Sequence, residues 1–420
     1  MSSERPGLGV FSWCLYDWAN SAFSTVITTF VFATYFTQTV APDPLLGTIY
    51  WGRTLSLAAL VVAVASPVLG AIADKRGRRK PWLLTCTVVC VIATVLMWFV
   101  KPATDYVMPA LVLVFLASVA FSFGMVFYNA MLPTLVAPAW RGRVSGWGWG
   151  LGYIGGLACL FLALAGFAQA EGAWLPLDRE TGEPQRAIAV LVGLWFAVFS
   201  LPLFLFVRDR PASGLALAPA AREGLSTLLD TLRSLRRHGA ILRFLLAHLF
   251  YANGLTTLFA FGAIYAAGTF GMDFPEVVRF GIALNVSAGC GALAFAWVDD
   301  WIGSKRTILI ALLGLTLCGG ILVLVQSNLM LWIFGVALGI FVGPAQAAGR
   351  SLMARLAPPE QETEMFGLYA LAGKSTAFLG PLILAFATDV FASQRAGMAT
   401  ILVFFVVGMA ILKGLREPGR

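Results

Sequence analysis

The chain alternates between long apolar runs and short breaks rich in charge, proline and glycine. Cutting at the breaks leaves twelve runs, near residues 10–39, 48–73, 82–100, 107–133, 144–168, 187–207, 240–267, 275–297, 307–325, 330–354, 365–387 and 396–413. Each is roughly 18 residues or longer, the length at which an α-helix crosses a hydrocarbon layer about 30 Å thick. Apolar positions within the runs follow neither the period of two of a half-exposed strand nor a stripe with a polar opposite face. The pattern predicts an all-α membrane protein with twelve transmembrane helices. The first run is too long for the core of a cleavable leader, and no small-residue cleavage site closes it, so it is read as a span.

Composition sharpens this picture. Hydrophobic residues make up 59% of the 420 and charged residues 12%, about half the charge fraction of a soluble domain. The net charge of +8 is unevenly placed. Lysine and arginine crowd alternate breaks: "DKRGRRK" (Lys75 to Lys80), "WRGR", the stretch 208–243, "SKR" and "RSLMAR". The intervening breaks hold Lys101, Arg179, Arg186, Arg279 and Arg395. By the positive-inside rule both termini face the cytoplasm of a cell (inner) membrane. The basic balance is therefore topology, and no nucleic-acid partner is expected. The six cysteines all fall inside spans without a CxxC. Cys86 and Cys90 share a helix face but lack a third ligand, so no metal site is read there.

The spans group in two sets of six. Residues 1–207 form an N-terminal half, 208–239 a linker, and 240–420 a C-terminal half. The linker begins Pro/Ala/Gly-rich and then places Leu225, Leu228, Leu229, Leu232 and Leu235 on one helical face flanked by Arg233, Arg236 and Arg237. That face predicts an amphipathic helix on the inner leaflet, acting as a strut between the halves. "WANS" in span one (Trp18 to Ser21) is echoed by "YANG" in span seven (Tyr251 to Gly254). "GAIADKRGRRK" after span two is echoed by "AWVDDWIGSKR" after span eight. A six-plus-six repeat is the plan of secondary transporters, which bind solute near the midplane between the halves.

"GAIADKRGRRK" resembles, without a mismatch, the loop signature of the major facilitator superfamily. Gly70 permits close helix packing, and Asp74 can meet the positive N-terminal end of a neighbouring helix. The resemblance implies a latch between the halves against the start of span eleven, built from Gly70, Asp74, Gly77 and Arg78 and repeated by Asp300 and Gly303, with Ala296 where the first glycine would stand. It also implies two pseudo-symmetric six-helix halves, spans one, four, seven and ten lining a central cavity, and a monomer. "YDWANSAFST", "VFYNAMLPTL", "GRVSGWGWGLGYIGG", "MFGLYALAGKSTAFLGPL" and, more loosely, "GPAQAAGRSLMARLAPP" resemble one branch of that superfamily, the family of the yeast vacuolar amino-acid effluxer and its bacterial relatives. The resemblance implies solute export. One departure stands out: Asn253 occupies a position in span seven where that family usually carries an acidic residue, which puts proton coupling through this half in doubt.

Charged groups inside spans cost about 2.5–3.5 kcal/mol or more at mid-depth and mark function by default. Asp17 in span one and Lys374 in span eleven are the two read as deep, either as a structural ion pair or as a clamp in which Lys374 takes a carboxylate and Asp17 an ammonium group. Asp17 alone would serve as a proton carrier. Asn20, Tyr128, Asn129, Asn253 and Gln346 add uncharged hydrogen-bonding groups on the cavity-lining spans. Trp18, Trp147, Trp149 and Tyr153 offer an aromatic wall, and His248 is a lesser candidate. Gly148, Gly152 and Gly156 form a small-residue face expected to meet the opposite half.

The expected function is secondary active transport of a small polar solute such as an amino acid, by alternating access. The only cofactor anticipated is a coupling proton or other ion. Export or import of a drug, metabolite or metal on the same fold is the alternative. A lipid enzyme is disfavoured, because two histidines and no clustered carboxylates leave no acid–base or metal centre. "LAGKST" lacks the upstream glycine spacing of a nucleotide loop, so ATP is not expected to drive the protein.

Overall fold

The computed structural model describes residues 7–168, 176–234 and 239–415, and every regular element among them is helical. Leu235, Arg236 and Arg237, part of the linker reading, lie outside the described residues. Eleven helices are long and apolar enough to cross a membrane: Pro44–Arg76, Lys80–Phe99, Thr104–Leu135, Pro138–Phe167, Glu183–Phe206, Gly239–Phe270, Glu276–Ile302, Ser304–Leu324, Asn328–Leu356, Glu362–Val390 and Gln394–Lys413. These are spans two to twelve. Span one precedes them as a helix in pieces. Its α-helix Leu8–Ala22 passes into π-helical turns at Phe23–Phe30, a short α-turn Val31–Tyr35 and further π-turns at Phe36–Val40. The described chain thus has the twelve helical spans that the apolar runs predicted. Most helices extend a few residues past the runs, because charged helix ends project beyond the hydrocarbon.

The repeat is visible in the helix bounds. Val107–Leu135 (span four) and Asn328–Leu356 (span ten) are both 29 residues long, and one offset superposes both ends. The same offset carries the start of span five at Arg141 onto the start of span eleven at Glu362.

The described chain folds as two compact units. One comprises residues 1–62, 78–128 and 151–212; the other comprises 63–77, 129–150 and 213–420. The units cut across the chain halves, because the basic-loop ends of spans two, four and five are packed among the helices of the C-terminal half. Glycine makes that packing close. A Cβ at Gly70 would collide with the Thr363 carbonyl oxygen, and one at Gly367 would lie 2.5 Å from that of Ser66. A Cβ at Gly146 would lie 2.5 Å from the Ala296 Cβ. So where the repeat has Ala296 in place of the first glycine, span five supplies the missing space with Gly146.

Span five carries two glycine faces, and the structure corrects which one meets the C-terminal half. Gly142, Gly146 and Gly150 face Asp299, Ala296 and Leu293 of span eight, whereas Gly152 and Gly156 face Ser21 and Thr25 of span one in their own half. At about 100° per residue, Gly150 and Gly152 point to opposite sides of the helix.

In the first unit, span one is tied to spans three and four by aromatic packing. Trp13 Nε1 donates to the Tyr128 carbonyl at 3.2 Å, and the Tyr128 hydroxyl donates back to the Trp13 carbonyl at 3.0 Å. The Trp13 and Tyr128 rings stack at 4.4 Å, and Tyr16 stacks on Tyr128 at 4.8 Å while its hydroxyl meets Thr87 at 2.8 Å. Gly70→Val is expected to cost about 1–3 kcal/mol of apparent stability through overpacking against the span-eleven backbone. Gly52→Val, where nothing lies within 4 Å, should be neutral. Thermal melts of the two purified variants check this, and equal shifts would refute it.

Candidate functional site

The site residues of the loop signature sit at helix ends. Asp74, on the last turn of span two, accepts the Thr363 hydroxyl at 2.6 Å and the Glu364 backbone N–H at 2.9 Å. Its carboxylate therefore caps the first turn of span eleven, where orphan amides and the helix dipole favour negative charge. Gly77 follows with φ of 80°, a left-handed conformation that ends span two without the strain a side chain would bring. The repeat does the same on the next helix pair. Asp300 accepts the backbone N–H groups of Gly142 at 2.9 Å and Arg143 at 3.1 Å, capping the start of span five. Side chains reinforce it: Arg143 Nε lies 3.0 Å and Arg355 Nη2 3.1 Å from the Asp300 carboxylate, with Arg355 also 3.7 Å from Asp299. Gly303, at φ of 96°, closes span eight.

Arg78 is exposed, and the buried arginine of the loop is its neighbour Arg79. Asp209 from the linker accepts the Arg79 and Lys80 backbone N–H groups, both at 3.0 Å, and so caps span three. Nothing in the sequence pattern had marked Asp209.

Arg350 is the main functional candidate that sequence reasoning missed. The basic stretch "RSLMAR" marks Arg350 as a loop charge while the apolar run 330–354 already contains it; span ten runs on to Leu356, which puts Arg350 about 9 Å inside the helix end. Its side chain is only 2% exposed. Nε donates to the Ser145 hydroxyl at 2.9 Å, Nη2 to the Ser145 carbonyl at 2.7 Å and Nη1 to Asn129 Oδ1 at 3.3 Å. The guanidinium also lies over the Trp149 ring at 5.7 Å. Asn129 and Arg350 are equivalent positions of the two halves under the offset that superposes spans four and ten. The available signal was the absence of any proline between Ala345 and Leu356.

The remaining polar residues lie on interrupted spans. Asn20 and Asp17 are buried just before span one turns π-helical, and Asn20 Nδ2 has no hydrogen-bond partner among the described residues. Span eleven breaks after Lys374. Helix Glu362–Lys374 ends there, residues 375–378 form a turn, and Leu379–Val390 resumes. Lys374 thus stands about 18 Å along the span from Glu362, half-buried, and among the described residues its ammonium has no hydrogen-bond or ion-pair partner. Asn253 is fully buried beside this break. Its Nδ2 donates to the Thr376 hydroxyl and to the Leu249 carbonyl, both at 2.7 Å, and Oδ1 has no hydrogen-bond partner among the described residues. Gln346 is half-buried on span ten.

Tyr128 is spent on Trp13, Trp18 stacks on Trp195 at 5.6 Å, and Trp147 meets Trp297 at 6.0 Å. His248 stacks on Tyr369 at 3.8 Å. Among the described residues no group of three His, Cys, Asp or Glu could hold a metal.

These geometries set an order of stabilities. Arg350→Ala forfeits three charge-assisted hydrogen bonds and is expected to cost about 1.5–3 kcal/mol. Arg350→Lys should fall between it and the parent, since an ammonium cannot present the planar fork. Asp300→Asn should cost about 0.3–2 kcal/mol, the scale of a charge at a helix terminus. Tryptophan-monitored melts rank the three, and the opposite order would mean that Arg350 is not a principal tie.

Residues 52–417 match the model of the family described as "Vacuole effluxer Atg22 like". The chain is 25% identical over 413 residues to the uncharacterized MFS-type transporter YxiO of Bacillus subtilis, covering 97% of this chain and 94% of the relative. It is 25% identical over 290 residues to the autophagy-related protein 22-2 of Aspergillus clavatus, covering 62% of this chain and 46% of that protein. The match thus spans about half the length of the fungal relative. Among solved structures, the human organic anion transporter MFSD10 (TETRAN) superposes with a TM-score of 0.68 at 18% identity, over 98% of this chain and 100% of its own.

Proposed function

We propose that this chain, which belongs to the Vacuole effluxer Atg22 like family of major facilitator transporters, carries a small carboxylate-bearing solute, an amino acid in the first instance. Its class is transport across a membrane, not enzymatic catalysis. In the proposed cycle the two halves rock about the bound solute, and the Asp74 and Asp300 caps hold one end shut in one of the alternating states. Lys374 receives the carboxylate and Asp17 the ammonium group, while Asn20, Asn253 and Gln346 supply hydrogen bonds. A proton or other ion drives the cycle, and the basic-loop side and both termini face the cytoplasm of the cell membrane.

The observation that carries this reading is the break in span eleven at Lys374. Discontinuous helices at mid-depth are where transporters of this kind bind solutes, and a deep ammonium without a protein anion is costly unless something else neutralises it. The same observation favours a second reading, an organic anion that needs Lys374 and is indifferent to Asp17. The alternative of metal export or import has no comparable support among the described side chains.

A ligand raises the melting temperature of the state it binds. The purified protein should therefore be stabilised by one or more of the twenty amino acids and lose that response in both Lys374→Ala and Asp17→Asn. A carboxylate whose effect vanishes in Lys374→Ala and survives in Asp17→Asn would select the organic anion. Stabilisation by a neutral or cationic solute that ignores Lys374 would overturn both readings.

A further inference from the structure

The linker helix Leu217–Ser234 is divided into three sectors. Ala220, Gly224 and Leu228, spaced four apart, are buried. Gly224 lies so close to span two that a Cβ would come within 2.9 Å of the Ile72 nitrogen and 3.0 Å of the Ala71 carbonyl. On the same face Thr231 stands beside the Glu364 carboxylate. Glu364 is the residue whose backbone N–H is held by Asp74. The helix is therefore seated on both partners of the span-two/span-eleven latch.

Leu225, Leu229 and Leu232 lie outside that footing, exposed by 46, 44 and 45%. This corrects the expectation of a single leucine face, since Leu228 turns inward. At about 100° per residue the exposed leucines fill the sector next to the docked face. Arg222, Glu223, Ser226, Asp230 and Arg233 fill the sector beyond, all of them exposed. A helix in water would gain nothing from an uncovered leucine stripe between its footing and its polar face. Chain connectivity says what covers it. Span six ends at Phe206, the linker helix runs from Leu217 to Ser234 and span seven begins at Gly239, so ten residues on one side and four on the other tether the helix to one membrane surface. Arg222 and Arg233, followed in sequence by Arg236 and Arg237, suit anionic headgroups at that surface.

We propose that the linker helix is a membrane-bound strap: its leucine stripe lies in the leaflet on the basic-loop side, in contact with anionic phospholipid, and so presses the helix onto the Asp74–Glu364 latch. The strap makes the closed state of this end depend on the lipid surface. The proposal rests on the latch reading of Asp74 and does not involve the solute.

The test is hydrogen–deuterium exchange on the full chain in phosphatidylcholine nanodiscs with and without phosphatidylglycerol, with no solute added. Phosphatidylglycerol should slow exchange of the amides of both 217–234 and 362–368. The triple variant Leu225→Gln/Leu229→Gln/Leu232→Gln should exchange about tenfold faster in both segments and lose the lipid dependence. Thr231→Val keeps every leucine and covers the case in which the triple variant fails to fold. It should retain lipid-dependent protection of the helix and lose that of 362–368. Equal exchange in parent and triple variant would overturn the proposal, as would a protected helix whose latch ignores lipid in the parent. Protection that follows the number of copies per disc instead of the lipid would assign the stripe to a second copy, and would overturn it too. Because no solute enters, failure here leaves the carboxylate reading untouched, and failure of that reading leaves the strap standing.

Discussion

A carboxylate laid across the first amides of a neighbouring helix is the interaction on which the basic-loop side of this molecule depends. Among the described residues it ties Asp74 to span eleven, Asp300 to span five and Asp209 to span three. Each helix start offers unpaired N–H groups and the positive end of its dipole. An aspartate supplied by another helix or by the linker satisfies those donors without leaving a charge unopposed. Such a tie is directional and made of a few hydrogen bonds, so it can be broken and remade as a unit. A hydrophobic seam of equal strength would have to be peeled apart over its whole length.

The glycines make these ties geometrically available. Asp74 reaches Glu364 because Gly70 and Gly367 bring the span-two and span-eleven backbones nearly into contact, and Asp300 reaches Gly142 because Gly146 yields to Ala296. Gly146 and Gly367 are equivalent positions under the offset that superposes spans four and ten, so both sides keep a glycine on the capped helix. The span-two side adds a second, Gly70, on the aspartate-bearing helix, where the span-eight side has Ala296. Arg350 then joins the tenth span to Ser145 and Asn129 near the start of span five and the end of span four, a buried guanidinium held by hydrogen bonds to uncharged groups.

Away from this end, the polar residues gather where spans one and eleven cease to be regular helices. Both irregularities fall beside residues expensive to bury: Asp17 and Asn20 before the π-turns, and Lys374 at the break. Interrupting a helix frees backbone groups that must be satisfied inside the protein or by what the protein carries. Asn253 takes part in that satisfaction by donating to Thr376 in the turn. An asparagine there holds a broken helix in place, which is a physical use for a residue found where the family usually has an acid.

The sequence by itself determined the twelve spans, the repeat and the capping role of Asp74, because each rests on local signals: run length, a basic loop between two spans, and an aspartate at a helix end beside a glycine. The tertiary structure alone decided which of two glycine faces on span five meets span eight, since both have the same spacing and only the partner distinguishes them. It alone decided that Arg350 is a buried tie and not a loop charge, because that depends on where span ten stops. It turned Leu228 inward and left Leu225, Leu229 and Leu232 outward, and it placed the break of span eleven directly after Lys374, one turn ahead of Pro381, whose ring and missing N–H disfavour a helical bond to residue 377. Periodicity records that a helix has an apolar face; which neighbour covers that face, and where a helix gives way to accommodate a charge, are properties of the packed whole.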